Sequence, residues 1–341
     1  MAAGRWRDGP TVLYVAGSGR SGSTLVERAL GAVPGFCNVG EILDLFRGAI
    51  TDDERCGCGR PFSACPFWSA VSGASSTLSD PARIERMSLL QAGLVRQRHL
   101  PRMVVPALSK GSFGRELREY ADGYADIFSA VADVSGAHHV VDASKWPVQA
   151  LALSASGYDV RVVQVVRDPR GVAYSQSRTD VARPHGAAGA TMASRPALSA
   201  AARWTVSQTQ VDLLRLRGLP TALLRYEEFV RDPAVIVRRA LGDIGVGLAG
   251  DDLGHLRPGN ADLPPSHGIS GNPSRFRLGP TVLRVDEAWR TGLPPRQQKA
   301  VLALAAPHLH RLHRLQRDAG PSREPTGAGS STSSTPTGGA V

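Results

Sequence analysis

Glycine, serine and arginine alternate in the segment AGSGRSGST, residues 16–24, which follows a short apolar run. Glycines let consecutive backbone N–H groups approach an anion closely, and a helix start adds a positive dipole end. Gly17 and Gly22 have the spacing of the glycines in the ATP-binding loop G-x-x-x-x-G-K-[ST], but Ser23 occupies the lysine position. The nearest cation is Arg20. The segment predicts an anion site that differs from an ATPase loop, with an ordinary strand-to-helix turn as the alternative.

A second arginine and hydroxyl pair lies in the segment VVRDPRGVAYS, residues 165–175. Arg167 ends an apolar run, and Ser175 follows about two helical turns later. Ligands of open parallel sheets bind at the carboxyl ends of strands, where both side chains could hold a phosphate by charge-assisted hydrogen bonds. A salt bridge from Arg167 to Asp168 or to a surface acid is the alternative. With the glycine-rich loop, this pair predicts a nucleotide that is anionic at both ends.

The two segments resemble the donor-binding motifs of sulfotransferases that use 3′-phosphoadenosine-5′-phosphosulfate (PAPS). The resemblance implies that Arg167 and Ser175 hold the 3′-phosphate of this donor, and that no metal is required. It is strong over residues 11–45, 138–178 and 197–245, which include the similar phrase RYEEFVRDP, and is thin elsewhere. The residues that it assigns to the 5′-phosphosulfate are Arg20, Ser21, Gly22, Ser23 and Thr24.

Tyrosylprotein and carbohydrate sulfotransferases have a glutamate and a lysine in an order similar to Glu41 and Lys145 of this chain. The resemblance therefore implies that Glu41 is the general base for the acceptor's proton, and that Lys145 and Arg20 stabilise the transition state. The alternatives are that Glu41 is a carboxylate favoured at a helix start and that Lys145 is a surface lysine.

Other sulfotransferases, which act on steroids and phenols, use a histidine base, so His138, His139 and His267 are alternatives to Glu41. We expect His139 to pack beside the sheet. The polar segment HGISGNPSRFR, residues 267–277, is suited to closing over the donor, and Arg275 is its candidate binding residue. The acceptor, a hydroxyl or amine of a small molecule, glycan or peptide, is not identified by any pattern in the sequence.

Two other functions remain open at this point. A kinase or NTPase is disfavoured by the missing lysine and by the lack of an acidic magnesium ligand after a strand, other than Asp142. A protein that binds an anionic glycan or nucleotide without catalysis is disfavoured by the presence of both Glu41 and Lys145.

The elements that must position these residues alternate along the chain, with continuous apolar runs followed by helical patterns. Such runs are typical of strands buried on both faces, and the alternation predicts a three-layer α/β fold with a mostly parallel sheet, a P-loop-like 5′-phosphosulfate loop and helical insertions. Residues 83–133 and 197–217 are expected to be mainly helical. The predicted strands are 11–17, 138–144, 160–167 and 220–226, and the predicted helices 23–33, 147–155, 169–178 and 227–241.

We expect one sulfotransferase domain over residues 1–318. The variable segments 46–135 and 179–200 are its predicted acceptor region, and residues 179–196 have the composition of a mobile loop. Residues 319–341 are almost entirely Ala, Gly, Ser, Thr and Pro and are predicted to be disordered.

The formal net charge of +10 fits a highly charged small ligand, a membrane surface or nucleic acid. The sequence contains neither a long Lys/Arg run nor a recognisable nucleic-acid module, so we expect no nucleic-acid partner. No apolar run approaches the roughly 18 residues of a membrane span, and no signal-peptide core is visible, so a cytoplasmic protein is expected.

Three of the four cysteines, Cys56, Cys58 and Cys65, lie in the segment RCGCGRPFSACPFW. The spacing C-x-C-x6-C is not a standard zinc pattern. Reduced thiols in a bent insertion, a local disulfide, and a metal site completed by Cys37 all remain open.

Overall fold

The computed structural model describes residues 9–180 and 193–318. Its centre is a parallel sheet of five strands, Thr11–Gly17 (β1), Phe36–Gly40 (β2), His139–Lys145 (β3), Val160–Val166 (β4) and Thr221–Arg225 (β5). Their order in the sheet is β2-β3-β1-β4-β5. All four strands predicted from apolar runs are present, and the α/β fold class is confirmed. The edge strand β2 was not predicted, because its sequence FCNVG is short and lacks a continuous apolar run.

Both faces of this sheet are buried, which explains the continuous apolarity of its strands. In β1, Val12 and Tyr14 pack into one apolar cluster, whereas Leu13 and Val15 pack into another on the opposite face. Helices cover both faces, which gives the predicted three layers.

The four predicted helices after strands are present, with one correction. The helix expected over residues 227–241 is two helices, because Pro233 cannot continue the first one and Asp232 caps the second. The helices are Ser23–Gly31 (α1), Pro66–Ala74 (α2), Pro81–Leu94 (α3), Leu100–Val104 (α4), Gly111–Ser135 (α5), Pro147–Leu153 (α6), Pro169–Ser177 (α7), Ala197–Leu216 (α8), Tyr226–Arg231 (α9), Pro233–Asp243 (α10), Trp289–Gly292 (α11) and Pro295–Asp318 (α12).

A second, antiparallel sheet was also not predicted, because its strands are short and interrupted by polar and turn residues. It consists of Leu256–Arg257 (β6), Asn260–Leu263 (β7) and Gly279–Val282 (β8). Between β7 and β8 the chain passes along the end of β2, where Ile269 forms a parallel bridge with Gly40. This passage brings residues 268–275 next to the carboxyl ends of the main sheet.

Two sequence predictions lie outside the described residues. They are the disordered tail over 319–341 and most of the mobile loop over 179–196, of which residues 181–192 are not described. Within the described ranges, no helix combines the length and the apolar composition that a membrane crossing needs.

Candidate active site

The glycine-rich loop joins β1 to α1 and has the backbone shape of an anion cradle. Gly22 precedes α1 in the left-handed conformation, with φ 89°, and a Cβ there would lie 2.3 Å from the ring of Tyr226. Arg20 also has a positive φ of 69°. Ser21 is fully buried, and no described residue hydrogen-bonds its hydroxyl. The glycine leaves no room for a side chain, and the neighbouring hydroxyl is buried without a partner among the described residues. Both features fit a loop that wraps an anion.

Glu41 and Lys145 form an ion pair at the carboxyl ends of the neighbouring strands β2 and β3. Their side chains are mostly buried, with 19% and 15% exposed, respectively. The Glu41 amide donates a hydrogen bond to the Ile269 carbonyl at 2.9 Å, which fixes the residue beside the β7–β8 connection. Glu41 starts a 3-10 turn, as a helix-start residue would, but its carboxylate does not cap that turn. The carboxylate accepts from the Lys145 ammonium instead, which brings together the two residues that the resemblance assigned to catalysis.

Arg167 and Ser175 lie beside the same loop, on the other side of β1. Arg167 Nη1 donates to the Arg20 carbonyl at 3.2 Å, and Gln176 on α7 donates to the Gly19 carbonyl at 2.8 Å. The Arg167 side chain is 8% exposed, and its guanidinium also pairs with Asp286 at 2.9 Å. Its acidic partner is therefore Asp286, whereas Asp168 pairs with Arg170. The two predicted anion sites are joined directly by hydrogen bonds.

The remaining candidates fall into two groups. Arg275 is buried and faces the site, although it also donates to the backbone carbonyls of Gly271 and Arg55. His139 lies at the amino end of β3, where its ring contacts that of Phe36 at a tilt of 46°, which agrees with the expectation that it packs beside the sheet. His267 stacks on Phe67 and, like His139, does not line the cavity described next.

A cavity of about 830 Å³ unites the site. Nine arginine or lysine side chains and only three carboxylates, those of Glu41, Asp44 and Glu54, line its described wall. Both segments predicted as the acceptor region contribute to it, for example through Gln97 and Arg195. The size and positive charge of the cavity suit an anionic ligand of nucleotide size. The predicted residues in its wall are Arg20, Gly22, Ser23, Thr24, Glu41, Lys145, Arg167, Ser175 and Arg275; Ser21 is buried and does not line it.

Asp142, the remaining magnesium-ligand candidate, is fully buried and does not line the cavity. One carboxylate oxygen accepts hydrogen bonds from the Ser144 amide at 2.8 Å and from its hydroxyl at 2.5 Å. Burial raises the pKa of Asp142 to about 7 despite these hydrogen bonds. Because this carboxyl group is buried and bonded to Ser144 at the end of the same strand, it is poorly placed to bind the metal ion of a nucleotide.

Glu27 is a residue of this region that the sequence reasoning missed. It lies on α1, one turn after Ser23, and is 3% exposed. Burial raises its pKa to about 8, an effect that Lys145 partly opposes. The signal was available in the sequence, because Glu27 occupies the buried stripe of α1 between Val26 and Leu30.

We expect Glu27→Gln to change how stability depends on pH. The folded-state pKa of about 8 exceeds the ordinary value of 4.5, so the stabilising contribution of the protonated group is complete below pH 4.5 and lost as pH rises through 8. Glutamine has no proton to lose, so the variant should gain a few kcal/mol relative to wild type above pH 8. Urea unfolding from pH 5 to pH 9 measures this, with Glu85→Gln on exposed surface as control. Parallel pH profiles of wild type and Glu27→Gln would contradict the assignment.

The model of the sulfotransferase family matches residues 11–249, well over half of the chain. The chain belongs to this family. It is therefore a sulfotransferase, an enzyme that transfers a sulfonate group, as the resemblance indicated.

Several solved sulfotransferases are similar in structure. The sulfotransferase domain of a Synechococcus olefin synthase is 19% identical, with a TM-score of 0.47; the alignment covers 89% of this chain and 98% of that one. A sulfotransferase from Alicyclobacillus acidocaldarius is 16% identical, with coverages of 87% and 94% and a TM-score of 0.38. One from Mycobacterium tuberculosis is 15% identical, with coverages of 71% and 69% and a TM-score of 0.41. Among curated proteins, none matches the sequence.

Proposed function

We propose that this sulfotransferase uses PAPS and transfers its sulfonate to a hydroxyl or amine of an acceptor, with Glu41 as the general base. The bond from sulfur to the bridging phosphate oxygen breaks as a bond from the acceptor oxygen or nitrogen to sulfur forms. The acceptor's proton goes to Glu41, and phosphoadenosine phosphate leaves. The observation that carries this proposal is the Glu41–Lys145 ion pair in the wall of the cavity that also contains the glycine-rich loop.

The loop supports the donor assignment. Its amides, Arg20, and the Ser23 and Thr24 hydroxyls, which line the cavity, supply donors for a 5′-phosphosulfate at the start of α1. A sulfonate carries less charge than a γ-phosphate, so these donors replace magnesium and the ATPase lysine. Arg167 and Ser175, held against the loop through the Arg20 carbonyl, would receive the 3′-phosphate, and the Arg167–Asp286 contact would then be shared or exchanged.

The ion pair supports the division of catalytic roles. In the structure the Lys145 ammonium donates to Glu41. With a donor bound, it could also donate to the bridging oxygen, whose negative charge increases as the bond to sulfur breaks. Movement of Lys145 toward that oxygen leaves Glu41 able to accept a proton. Acceptors would enter between the segments that include Gln97 and Arg195, which are parts of the cavity wall.

A titration of the purified protein tests the donor directly. Phosphoadenosine phosphate should bind equally well with and without added Mg²⁺, and ATP with Mg²⁺ should bind far more weakly. Tighter binding of magnesium-ATP would instead favour a kinase or NTPase. Donor binding without labelled sulfate transfer to any acceptor in extracts of the source organism would favour a protein that binds the nucleotide without catalysis.

Arg167→Ala and Ser175→Ala should weaken phosphoadenosine phosphate selectively, because each is proposed to touch only the 3′-phosphate. Losing one charge-assisted contact should cost about 1.5–3 kcal/mol, or roughly ten- to 150-fold in Kd. Adenosine 5′-phosphosulfate, which lacks the 3′-phosphate, should bind the variants nearly as well as wild type. Isothermal titration with both nucleotides measures the difference.

Arg170→Ala is the matched control for these variants. This arginine is three residues from Arg167, but its guanidinium pairs with Asp168, packs over Trp289 and does not line the cavity. It should change neither nucleotide's affinity. Equal losses for both nucleotides in Arg167→Ala would mean that this arginine supports the fold and not the 3′-phosphate.

A further inference from the structure

Three cysteines and one histidine converge outside the cavity, at a place that the proposed transfer does not use. Cys56, Cys58 and Cys65 come from the loop before α2, and His267 comes from the β7–β8 connection, about 200 residues later. Their sulfur and nitrogen atoms all lie within 4.8 Å of one another. The fourth member of the cluster is His267 and not Cys37, which lies on the edge strand β2.

Four of the six separations within the cluster are close to the edges of a tetrahedron around one metal ion, and the other two are within 4.8 Å. Zinc bonds of about 2.3 Å to sulfur and about 2.0 Å to nitrogen give tetrahedral edges of roughly 3.8 Å between sulfurs and roughly 3.5 Å between sulfur and nitrogen. The Cys65 sulfur lies 3.6 Å from Cys56 and 3.7 Å from Cys58. His267 Nδ1 lies 3.3 Å from the Cys65 sulfur and 3.7 Å from that of Cys56. A disulfide would instead require two sulfurs at about 2.05 Å and would leave the third cysteine unused.

The backbone around the cluster holds these groups in place. Gly57 donates to the Gly268 carbonyl at 2.8 Å, and a Cβ on Gly57 would lie 2.7 Å from the Ser266 carbonyl oxygen, so the two loops touch at the glycine between Cys56 and Cys58. Trp68 donates from Nε1 to the His267 carbonyl at 2.8 Å, and the Phe67 ring stacks on the imidazole at 4.6 Å. Cys56 and Cys65 are fully buried, whereas Cys58 and His267 are half-buried, so the site is partly shielded from solvent.

We propose that Cys56, Cys58, Cys65 and His267 bind one structural zinc ion. Three thiolates and one imidazole make a ligand set that favours zinc over the harder ions magnesium and calcium. Binding displaces the thiol protons to solvent. Four protein ligands close the coordination shell, so the ion has no open position for substrate and acts on structure and not on chemistry.

The position of the site indicates which parts of the fold a bound ion would stabilise. Beyond His267 the chain continues to Ile269, whose carbonyl accepts the Glu41 amide, and to Arg275, which donates to the Arg55 carbonyl beside the cysteine loop. Zinc would therefore cross-link the cysteine loop to the segment that forms one wall of the cavity. This role is independent of the proposed donor and acceptor, and it differs from the metal-free binding expected at the nucleotide site.

Metal analysis of the full chain, purified under reducing conditions without chelator, should find one zinc per chain. Cys65→Ser and His267→Asn should each lose most of it, whereas Cys37→Ser, the control cysteine, should keep it all. Exchange of the ion for Co²⁺ should produce the visible absorption of a tetrahedral site with sulfur ligands. Removal of zinc with a strong chelator should lower the Tm, and added Zn²⁺ should restore it.

The cobalt absorption and the effect of the chelator are measured on the wild-type protein. They therefore test the proposal even if a variant fails to fold. The proposal would be overturned if the wild-type protein contained no zinc and bound no cobalt, or if Cys37→Ser and Cys65→Ser lost zinc equally. It would also be overturned if the intact protein, without reductant, had a mass two hydrogens below that of the reduced chain, because this would identify a disulfide. None of these readouts depends on sulfonate transfer, so failure here and failure of the proposed function are distinguishable.

Discussion

Glu41→Gln should lower turnover at least about a hundredfold, because general bases typically contribute roughly 10²–10⁴-fold to rate. Glutamine keeps the shape of the side chain and removes its ability to take the acceptor's proton. The amide can still contact Lys145, and the backbone bond from residue 41 to the Ile269 carbonyl is unaffected. The variant should therefore fold with wild-type thermal stability and bind phosphoadenosine phosphate normally.

Single-turnover sulfonate transfer and nucleotide titration, both across pH 6 to 9, separate the two effects. Asp44→Asn is a suitable control, because this carboxylate lines the same cavity three residues later and is already engaged by the Ser270 hydroxyl. It should retain most of its turnover. If Glu41→Gln also retained near-normal turnover at every pH, Glu41 would be only the ion-pair partner of Lys145.

The central sheet was predictable because its strands are buried on both faces and therefore carry a signal that needs no tertiary information. The runs at Thr11–Gly17 and Val160–Val166 were identified to within one residue. The edge strand Phe36–Gly40 and the second sheet were not predicted, because their sequences lack such a local signal. Their short strands are fixed by partners distant in sequence, such as Ile269 beside Gly40, and not by their own composition.

The grouping of the candidate site followed from topology, because residues after parallel strands meet at one edge of the sheet. Glu41 and Lys145 follow adjacent strands, and Arg167 follows the strand on the other side of β1. Contacts made across long sequence separations were not predictable in the same way. No local pattern indicates that Asp286 pairs with Arg167, or that His267 joins the cysteines.

Lys145→Ala is expected to lower turnover roughly 10²–10³-fold while affinity for phosphoadenosine phosphate stays within a few fold, which is the scale of removing one donor to a developing oxyanion. Lys145 has a left-handed backbone, with φ 69°, and alanine at this position meets the same backbone constraint. The variant therefore removes the side chain without relaxing the end of β3. Burst kinetics with the labelled donor and a separate nucleotide titration measure the two quantities.

A cycle with Glu41→Gln tests whether the ion pair acts as one catalytic unit. If Lys145 and Glu41 serve the same transfer step, the double variant should lose much less than the product of the two single losses, as is usual for residues that act together. Lys299→Ala, at an exposed position on α12 outside the cavity, should leave turnover and affinity unchanged. A tenfold or greater loss of nucleotide affinity in Lys145→Ala, with normal turnover, would make Lys145 a donor-binding residue and would remove it from the transfer step. Multiplicative losses in the double variant would instead mean that Glu41 and Lys145 act independently, despite their contact in the structure.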